Sequence, residues 1–276
     1  MSDRIGADFT GVESTMLITL YLRALETRSA RPVLNDPYAV DLVERLDVDF
    51  ARLLPRGASG NRYTVAVRGR RLDDWAADFL RRHPDAVVLH LGCGLDSRAF
   101  RLGPPPGAAW YDVDLPDVIA LRRRLYDRRP EGYTTVGASV TDPDWLAEVP
   151  AGRPALVVAE GLLMYLTESD IRRLLDALAD RFPSGELLFD GFAPWVVGLT
   201  RRLAPVLDRR GLPHYRTATA DGSVLTRWNP RFRRLAADPL LDGLVRVSER
   251  GPRTTYRLLN AVPGFRGFYR LCRFAF

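Results

Sequence analysis

Residues 86–97 read AVVLHLGCGLDS, an apolar run that ends at two glycines and leads into a helix-like segment. Residues 86–91 fit a buried strand, and Gly92 and Gly94 allow a ligand to approach the backbone closely. The helix that follows would point its first N–H groups into the same crevice. This pattern predicts a nucleoside-containing cofactor at the carboxyl end of a buried strand.

An acidic residue follows at the distance this kind of fold uses to hold a ribose. Asp114 lies 20 residues after Gly94, at the end of a second strand-like run over residues 108–113. A carboxylate there can accept hydrogen bonds from both ribose hydroxyls. Asp112 is a rival for the same role, because the ends of predicted strands are uncertain by about two residues.

The residues after the glycine turn help to choose the cofactor. A dinucleotide-binding pattern would need a third glycine at position 97, where this chain has Ser97. Asp96 also places a carboxylate at the start of the helix, where it would lie beside a pyrophosphate. S-adenosylmethionine carries no phosphate, so these residues favour it.

Several motifs at strand-to-helix spacing together resemble the leucine carboxyl methyltransferase-like family, in particular its bacterial branch of polyketide carboxyl O-methyltransferases. The resemblance covers roughly residues 14–192 and implies a class I methyltransferase fold with a helical N-terminal cap and S-adenosylmethionine as the methyl donor. The motifs are LYLRALETR (20–28), NDPYA (35–39), VAVRGRRLDD (65–74), LGCGLDSRAFRL (91–102), WYDVDLPDVIALRRRL (110–125), ASVTDPDW (138–145) and AEGLLMYL (159–166).

The resemblance also implies roles for individual residues around the cofactor. It favours Asp114 over Asp112 as the residue that binds the ribose. It also implies that Glu160, in the Glu-Gly step after the fourth predicted strand, contacts the cofactor. It implies that Arg68 binds the methionine carboxylate, for which the forked guanidinium is suited, with Arg23 as a second candidate.

The same resemblance implies a role for two further residues. Ser139 and Val140 occupy the stretch beside the adenine, although some members of the family carry Asp-Leu there and this chain does not. Asp142 is the alternative for an adenine contact.

The acceptor side is less well marked. Residues 193–240 look helical, and in this family such an insert covers the substrate. His214 is the candidate general base, and an exposed histidine with no catalytic role is its alternative. The candidates for acceptor contacts are Tyr21, Tyr165, Trp195 and Tyr215.

Strand-like and helix-like runs alternate along the middle of the chain, which predicts an α/β fold with a doubly wound, mostly parallel sheet. The expected parts are an N-terminal helical cap (1–84), a Rossmann-like core that binds S-adenosylmethionine (85–192), a helical substrate lid (193–240) and C-terminal strands that complete the sheet (241–276). The last of these strands is expected to be antiparallel and to lie at the end of the sheet.

Composition limits the partners. The 276 residues include 40 basic ones, all arginine, against 34 acidic ones. The arginines are dispersed, and clusters such as 122–124 and 233–234 are expected on solvated helix faces, so nucleic acid is not the expected partner. Cys93 and Cys272 do not have the spacing of a metal site. No signal peptide or membrane span is expected, which favours a cytoplasmic enzyme; a homodimer is left open.

The sequence thus predicts an S-adenosylmethionine-dependent O-methyltransferase acting on a small natural-product acceptor, at a carboxylate or a phenolic oxygen. Protein or peptide carboxyl methylation and cyclisation of the cofactor's aminobutyrate chain are alternatives with the same cofactor. A nicotinamide-dependent oxidoreductase and an RNA-binding protein are the alternatives from other classes. The missing third glycine and the scattered arginines argue against these last two.

Overall fold

A computed structural model describes residues 5–6, 11–54, 58–209 and 214–276, which form an α/β core with a helical N-terminal layer. The strands are β1 (Ile5–Gly6), β2 (Leu46–Asp47), β3 (Val87–Leu91), β4 (Ala109–Asp114), β5 (Tyr133–Gly137), β6 (Ala155–Ala159), β7 (Gly185–Phe192), β8 (Arg233–Pro239) and β9 (Tyr269–Ala275). The helices are α1 (Gly11–Thr27), α2 (Pro37–Arg45), α3 (Phe50–Leu53), α4 (Asn61–Arg82), α5 (Arg98–Leu102), α6 (Pro116–Leu125), α7 (Glu168–Arg181), α8 (Pro194–Arg202), α9 (Ala204–Arg209), α10 (Ser223–Trp228), α11 (Leu240–Leu244) and α12 (Arg250–Ala261).

The central sheet has seven strands in the order β5-β4-β3-β6-β7-β9-β8. Strands β3 to β7 are parallel, and β9 runs antiparallel to both of its neighbours. The chain builds outward from β3 through β4 to β5, and then returns to add β6 and β7 on the other side. The order therefore reverses between β3 and β6, and a crevice at their carboxyl ends is the usual ligand site of such sheets.

The two strands at this reversal are wholly buried, because each is a short apolar run flanked by strands on both sides and helices on both faces. Every residue of β3 and β6 is buried, including the one polar side chain, His90. One face of the sheet packs on α7, through residues such as Ile171 and Leu178. The other packs on α4 and α11. This rigid centre fixes where the chain leaves each strand.

Helices α1 and α2 form the layer at the N-terminal side of the crevice. Leu17 and Leu20 of α1 are buried against Leu42 of α2. Asp36 caps α2 by accepting a hydrogen bond from the Ala39 amide at 3.2 Å, and Pro37 at the first helical position suits that start. This packing sets α1 over the glycine turn.

The predicted strands at 86–91 and 108–113 match β3 and β4 within one residue at each end. The C-terminal region differs. Residues 233–239 form β8 at the sheet edge, so the prediction of a helical segment up to residue 240 is wrong there. The C-terminal strand is antiparallel as predicted, but it lies between β7 and β8 and not at the end of the sheet. Residues 241–276 also contain helix α12, not strands alone.

Arg122 is a second correction. The prediction of a solvated arginine cluster holds for Arg123 and Arg124, whereas Arg122 is fully buried. Helical periodicity places it on the face of α6 that packs against the sheet, and its guanidinium is paired there with Asp112. In the described ranges, no helix combines the length and the apolar character needed to cross a bilayer.

Candidate functional site

The glycine turn after β3 has the backbone geometry that only glycine adopts without strain. Gly92 and Gly94 have φ values of +60° and +49°. A Cβ atom would also lie 3.0 Å from a methyl of Leu162 at the first position and 3.1 Å from Met16 at the second. Conformation therefore favours glycine at both positions, and a Cβ would also require Leu162 or Met16 to shift by a few tenths of an ångström; the turn passes beneath α1.

Asp114 closes β4 beside this turn. Its carboxylate accepts hydrogen bonds from the amides of Gly94, at 2.7 Å, and Leu115, at 2.8 Å. The pKa of Asp114 is raised above its usual value, because the effect of burial outweighs these two amide hydrogen bonds, which lower it. Two backbone donors hold the group in one orientation and leave acceptor capacity, because a carboxylate has about four lone-pair positions.

The rival Asp112 is engaged elsewhere. It is fully buried and accepts from His90 Nδ1 at 3.0 Å and Trp110 Nε1 at 2.8 Å, as well as from Arg122 and Tyr133. Burial would raise the pKa of Asp112, but Arg122 and the other donors lower it to about 2. The structure therefore leaves Asp114 as the ribose candidate. His90 is itself buried, and its Nε2 contacts Arg98 at 3.2 Å.

A cleft of about 510 Å³, part of it open to solvent, lies above the turn at the reversal of strand order. Its lining residues come from α1, α4 and the ends of β3 and β6: Thr15, Met16, Thr19, Leu20, Arg23, Arg68, His90, Gly92, Cys93, Gly94, Leu95, Asp96, Glu160 and Gly161. The structure thus brings Arg23, Arg68, Glu160 and both glycines together at this cleft, whereas Asp114, Ser139 and Val140 are not among its lining residues; the cofactor roles of all of them stay predictions.

Glu160 follows β6 and is the meeting point of three arginines. Arg23 Nη2 donates to Oε1 at 3.1 Å and Arg68 Nε donates to the same oxygen at 2.8 Å. Arg98 donates to Oε2. Burial opposes ionisation, but these cations hold the pKa of Glu160 far below its usual range. The cleft wall at Glu160 therefore carries three cations around one carboxylate.

A buried ionic network continues beneath the cleft, and the sequence does not predict it. Arg98 is fully buried, and its Nε donates to Asp73 at 2.7 Å. Asp96 Oδ2 lies 2.8 Å from Arg23 Nη2, without the angle of a hydrogen bond. Arg101 joins Asp73 to Asp96 and to the capping Asp36. The sequence signal that could have revealed this network is Asp96-Ser97-Arg98, just after the glycine turn. This run places a carboxylate and a guanidinium at the site.

The stretch after β5 lies where the sequence predicts an adenine contact. Ser139 Oγ is 2.8 Å from the Thr141 hydroxyl, and Val140 is buried against the core. Asp142 caps the following 3₁₀ turn by accepting from the Asp144 amide at 3.3 Å. Asp142 is exposed and accepts only this one hydrogen bond among the described residues, so it stays the alternative for an adenine contact, and Val140 is the apolar residue of this stretch.

Aromatic rings form a column at the carboxyl edge of the parallel strands, on the side of Glu160 where β7 and β9 lie. The centroids of Tyr269 and Phe192 are 4.1 Å apart, those of Phe192 and Tyr215 are 4.5 Å apart, and Tyr165 lies 5.6 Å from Tyr215. The segment that carries Tyr215 is anchored there, because the Arg216 amide donates to the Met164 carbonyl at 2.7 Å. Two of the predicted acceptor residues, Tyr165 and Tyr215, therefore meet beside the cleft.

The other acceptor candidates lie apart from this column. Trp195 on α8 is 47% exposed, and its ring is 5.5 Å from Phe265. Tyr21 stacks on Phe50 in the N-terminal layer at 5.1 Å and is not part of the cleft lining. His214 directly precedes Tyr215 and is partly buried. Their roles stay predictions.

Comparison with known proteins adds the following. The family model described as leucine carboxyl methyltransferase matches residues 16–179. A tetracenomycin polyketide synthesis O-methyltransferase, TcmP of Streptomyces glaucescens, is 53% identical over 188 residues, which cover 68% of each chain. An S-adenosyl-L-methionine-dependent methyltransferase of Gibberella zeae, dpfgK, is 39% identical over 204 residues, again 68% of each chain. A crystal structure of a proposed methyltransferase from Thermobifida fusca has a TM-score of 0.57 at 19% identity and covers 93% of each chain. That likeness shows the fold.

Proposed function

This chain belongs to the leucine carboxyl methyltransferase family and is an S-adenosylmethionine-dependent methyltransferase; from that premise we propose that it methylates an oxygen, preferably a carboxylate oxygen, of an aromatic polyketide-like small molecule. The family resemblance, the class I methyltransferase fold and the cofactor predicted from the sequence are confirmed. The acceptor and the methylated atom are the proposal. The aromatic column beside the cleft carries it.

The cofactor roles of individual residues are part of this proposal. Asp114 would bind the ribose hydroxyls, since its orientation is fixed by two amides. Gly92 and Gly94 would pass beneath the amino-acid portion, while Ser139 and Val140 would flank the adenine. Arg68 and Arg23 would bind the methionine carboxylate, and Glu160 would face the ammonium group. S-adenosylmethionine, when bound, supplies a methyl group already activated on a sulfonium.

The column of Tyr165, Tyr215 and Phe192 supports an aromatic acceptor. Flat rings stack favourably on one another in offset or tilted arrangements, which would hold a fused-ring substrate near the end of β6. The relative TcmP is a polyketide synthesis O-methyltransferase, and it is 53% identical to this chain over the matched 188 residues. We therefore assign Tyr165, Tyr215 and Phe192 to the acceptor, and α8 with residues 214–217 to its cover.

Charge supports an anionic acceptor. Residues 193–276 contain sixteen arginines and five acidic residues. Arg202 and Arg216 are exposed and make no ion pair with any residue that the structure describes. A positive surface at the mouth raises the local concentration of anions and the rate at which they associate. A carboxylate is ionised at neutral pH and needs no base, whereas a phenol has a pKa of about 10.

With such an acceptor, the work of the protein is to position the oxygen and exclude water. Holding the reacting atoms in line removes much of the entropic barrier. The aromatic column would fix the ring plane of the acceptor, and α8 with the segment that carries Tyr215 would keep water out. No proton has to leave a carboxylate, so this route does not require His214.

The test is an assay of the purified protein with methyl-labelled S-adenosylmethionine and two matched acceptors, an anthracene carboxylic acid and the corresponding anthracenol. We expect labelled product from the acid, and mild alkali should release its label as methanol because the product is an ester. Alkali-stable label from the anthracenol alone would overturn the carboxylate assignment and make the enzyme a phenol O-methyltransferase.

Two further arms address the alternatives. A peptide ending in a free leucine carboxylate tests protein carboxyl methylation, since the family model carries that description. Mass spectrometry of the cofactor-derived products tests cyclisation of the aminobutyrate chain. A faster reaction in either arm than with the aromatic acid would overturn the small-molecule proposal.

A further inference from the structure

Arg68 is held from the side opposite Glu160 by two residues that neither the sequence motifs nor the family resemblance identified. While its Nε donates to Glu160, its Nη1 donates to the Tyr269 hydroxyl at 2.8 Å. Asp190 Oδ2 lies 3.5 Å from the same nitrogen. The third nitrogen, Nη2, makes no hydrogen bond with any residue in the described ranges, and Arg68 lines the cleft.

Asp190 and Tyr269 form a closed unit behind this guanidinium. The Tyr269 hydroxyl donates to Asp190 Oδ2, and the Gly161 amide donates to Asp190 Oδ1 at 2.6 Å. Asp190 is fully buried and Tyr269 is 2% exposed. Burial raises the pKa of Tyr269 well above its usual range, so the phenol keeps the proton that it donates while it accepts from Arg68.

Neither side chain reaches solvent, so contact with an acceptor is not their role. Both belong to the central strands: Asp190 lies on β7 and Tyr269 opens β9, the antiparallel neighbour of β7. Tyr269 is also fixed by its stacking on Phe192. Asp190 and Tyr269 are therefore held as rigidly as the sheet itself, whereas Arg68 extends from α4 on a flexible side chain.

We propose that Asp190 and Tyr269 are positioning residues that hold the Arg68 guanidinium with Nη2 directed to the cofactor's carboxylate. This rests on the proposed role of Arg68. A long arginine side chain loses much rotamer freedom when it binds a ligand, and a guanidinium already fixed by its other nitrogens loses less. Without Asp190 and Tyr269, both terminal nitrogens of Arg68 can turn towards Glu160. The carboxylate of the cofactor then loses its hydrogen-bond donor.

The test measures ligand binding by calorimetry and needs no acceptor, so it is independent of which oxygen the enzyme methylates. The ligands are S-adenosylhomocysteine, which has the amino-acid tail, and 5′-methylthioadenosine, which lacks it. Tyr269→Phe removes one hydroxyl and keeps the ring that stacks on Phe192. We expect it to weaken S-adenosylhomocysteine about 3- to 10-fold, the usual size for one lost hydrogen bond. Binding of 5′-methylthioadenosine should stay within about twofold, since that ligand has no carboxylate.

Tyr256→Phe is the matched control. It removes the same atom from a half-buried tyrosine whose hydroxyl donates to the Gly60 carbonyl, away from the cleft, and both affinities should be unchanged. Asp190→Asn is the second variant; it keeps the size of the side chain and removes the charge, and it should weaken only the tailed ligand.

Arg68→Lys distinguishes a failure of the positioning role from a failure of the proposed contact between Arg68 and the cofactor's carboxylate. If this variant weakens S-adenosylhomocysteine more than 10-fold while Tyr269→Phe leaves it unchanged, the positioning role is overturned and the carboxylate contact stands. If Arg68→Lys also leaves it unchanged, both are overturned. A Tyr269→Phe protein that loses the two ligands equally would likewise overturn positioning, because a general distortion affects both.

Discussion

The two parts of this molecule differ in how far acidic residues balance their arginines. Residues 1–192 contain 24 arginines and 29 acidic residues, whereas residues 193–276 contain sixteen and five. In the first part, Arg98 and Arg122 are fully buried and paired with carboxylates. In the second, Arg202 and Arg216 are exposed. The formal net charge of +6 is thus the sum of an acidic part, residues 1–192, and a strongly basic part, residues 193–276.

We infer from this difference that buried charge maintains geometry in the first part, and we expect exposed charge in the second to act on the approach of ligands. A buried ion pair contributes little net stability, but removing one partner leaves an uncompensated charge in a low dielectric. An exposed cation contributes almost nothing to stability and acts over about a Debye length on ions in solution. Substitutions in the two parts should therefore have different sizes and different readouts.

The largest effect is expected from Arg98→Met. Arg98 contacts Asp73, Asp96 and Glu160, so its loss leaves three buried carboxylates with less neutralising charge. We expect the free energy of unfolding to fall by about 3–5 kcal/mol, the usual cost of breaking a buried ion pair. Urea unfolding followed by circular dichroism measures it.

Arg202→Met is the matched control from the other part of the chain. Its side chain is exposed, and a surface substitution of this kind changes stability by about 0.5 kcal/mol or less. Equal losses for the two variants would break the comparison, because burial would then not distinguish the two groups of arginines.

Asp114→Ala should have the next largest effect, on cofactor binding. Loss of hydrogen bonds from the ribose hydroxyls to a charged group costs about 1.5–3 kcal/mol, which weakens S-adenosylhomocysteine roughly 10- to 100-fold by calorimetry. Asp117→Ala, in the first turn of α6, is the control and should bind normally. Unchanged affinity in Asp114→Ala would remove the ribose assignment, and the buried Asp112 could not take it over without giving up its present partners.

The sequence predicted those parts of the site that follow directly from strand ends. Gly92, Asp114 and Glu160 each come at the end of a buried apolar run, and parallel strands bring such ends to one edge. Arg68 and Arg23 lie outside this pattern, and only the family resemblance identified them.

The ionic network could not be predicted in the same way, because its members are far apart in the chain. Tyr269 and Arg68 are separated by 201 residues, and Arg98 and Glu160 by 62. No local periodicity records such a pairing. Strand β8 was missed for a different reason: its arginines Arg233 and Arg234 are exposed at the sheet edge, where charge prevents pairing with other chains and hides the apolar alternation of a strand.

A smaller effect is expected at the basic surface. The double variant Arg202→Gln/Arg216→Gln should raise KM for an anionic aromatic acceptor about two- to fivefold at low ionic strength, with kcat unchanged, because steering affects association. The difference should disappear at 0.5 M salt, where charges are screened within a few ångströms. Arg128→Gln/Arg129→Gln removes two exposed charges next to the start of β5, at the opposite edge of the sheet, and should leave KM unchanged. A salt-independent increase would make Arg202 and Arg216 direct contacts of the acceptor.

The smallest effect is expected at His214. If the acceptor is a carboxylate, no proton is removed, and His214→Ala should leave kcat within about twofold of the unsubstituted enzyme. If the acceptor is a phenol, loss of a general base should lower kcat about 100-fold near neutral pH. That loss should shrink towards pH 10, where the phenol ionises unaided. Measuring kcat against pH for both anthracene acceptors therefore distinguishes the two reactions with a single variant. A loss of rate that is the same at every pH would instead make His214 a packing residue beside Tyr215, and would place the acceptor's orientation, not its ionisation, under the control of this segment.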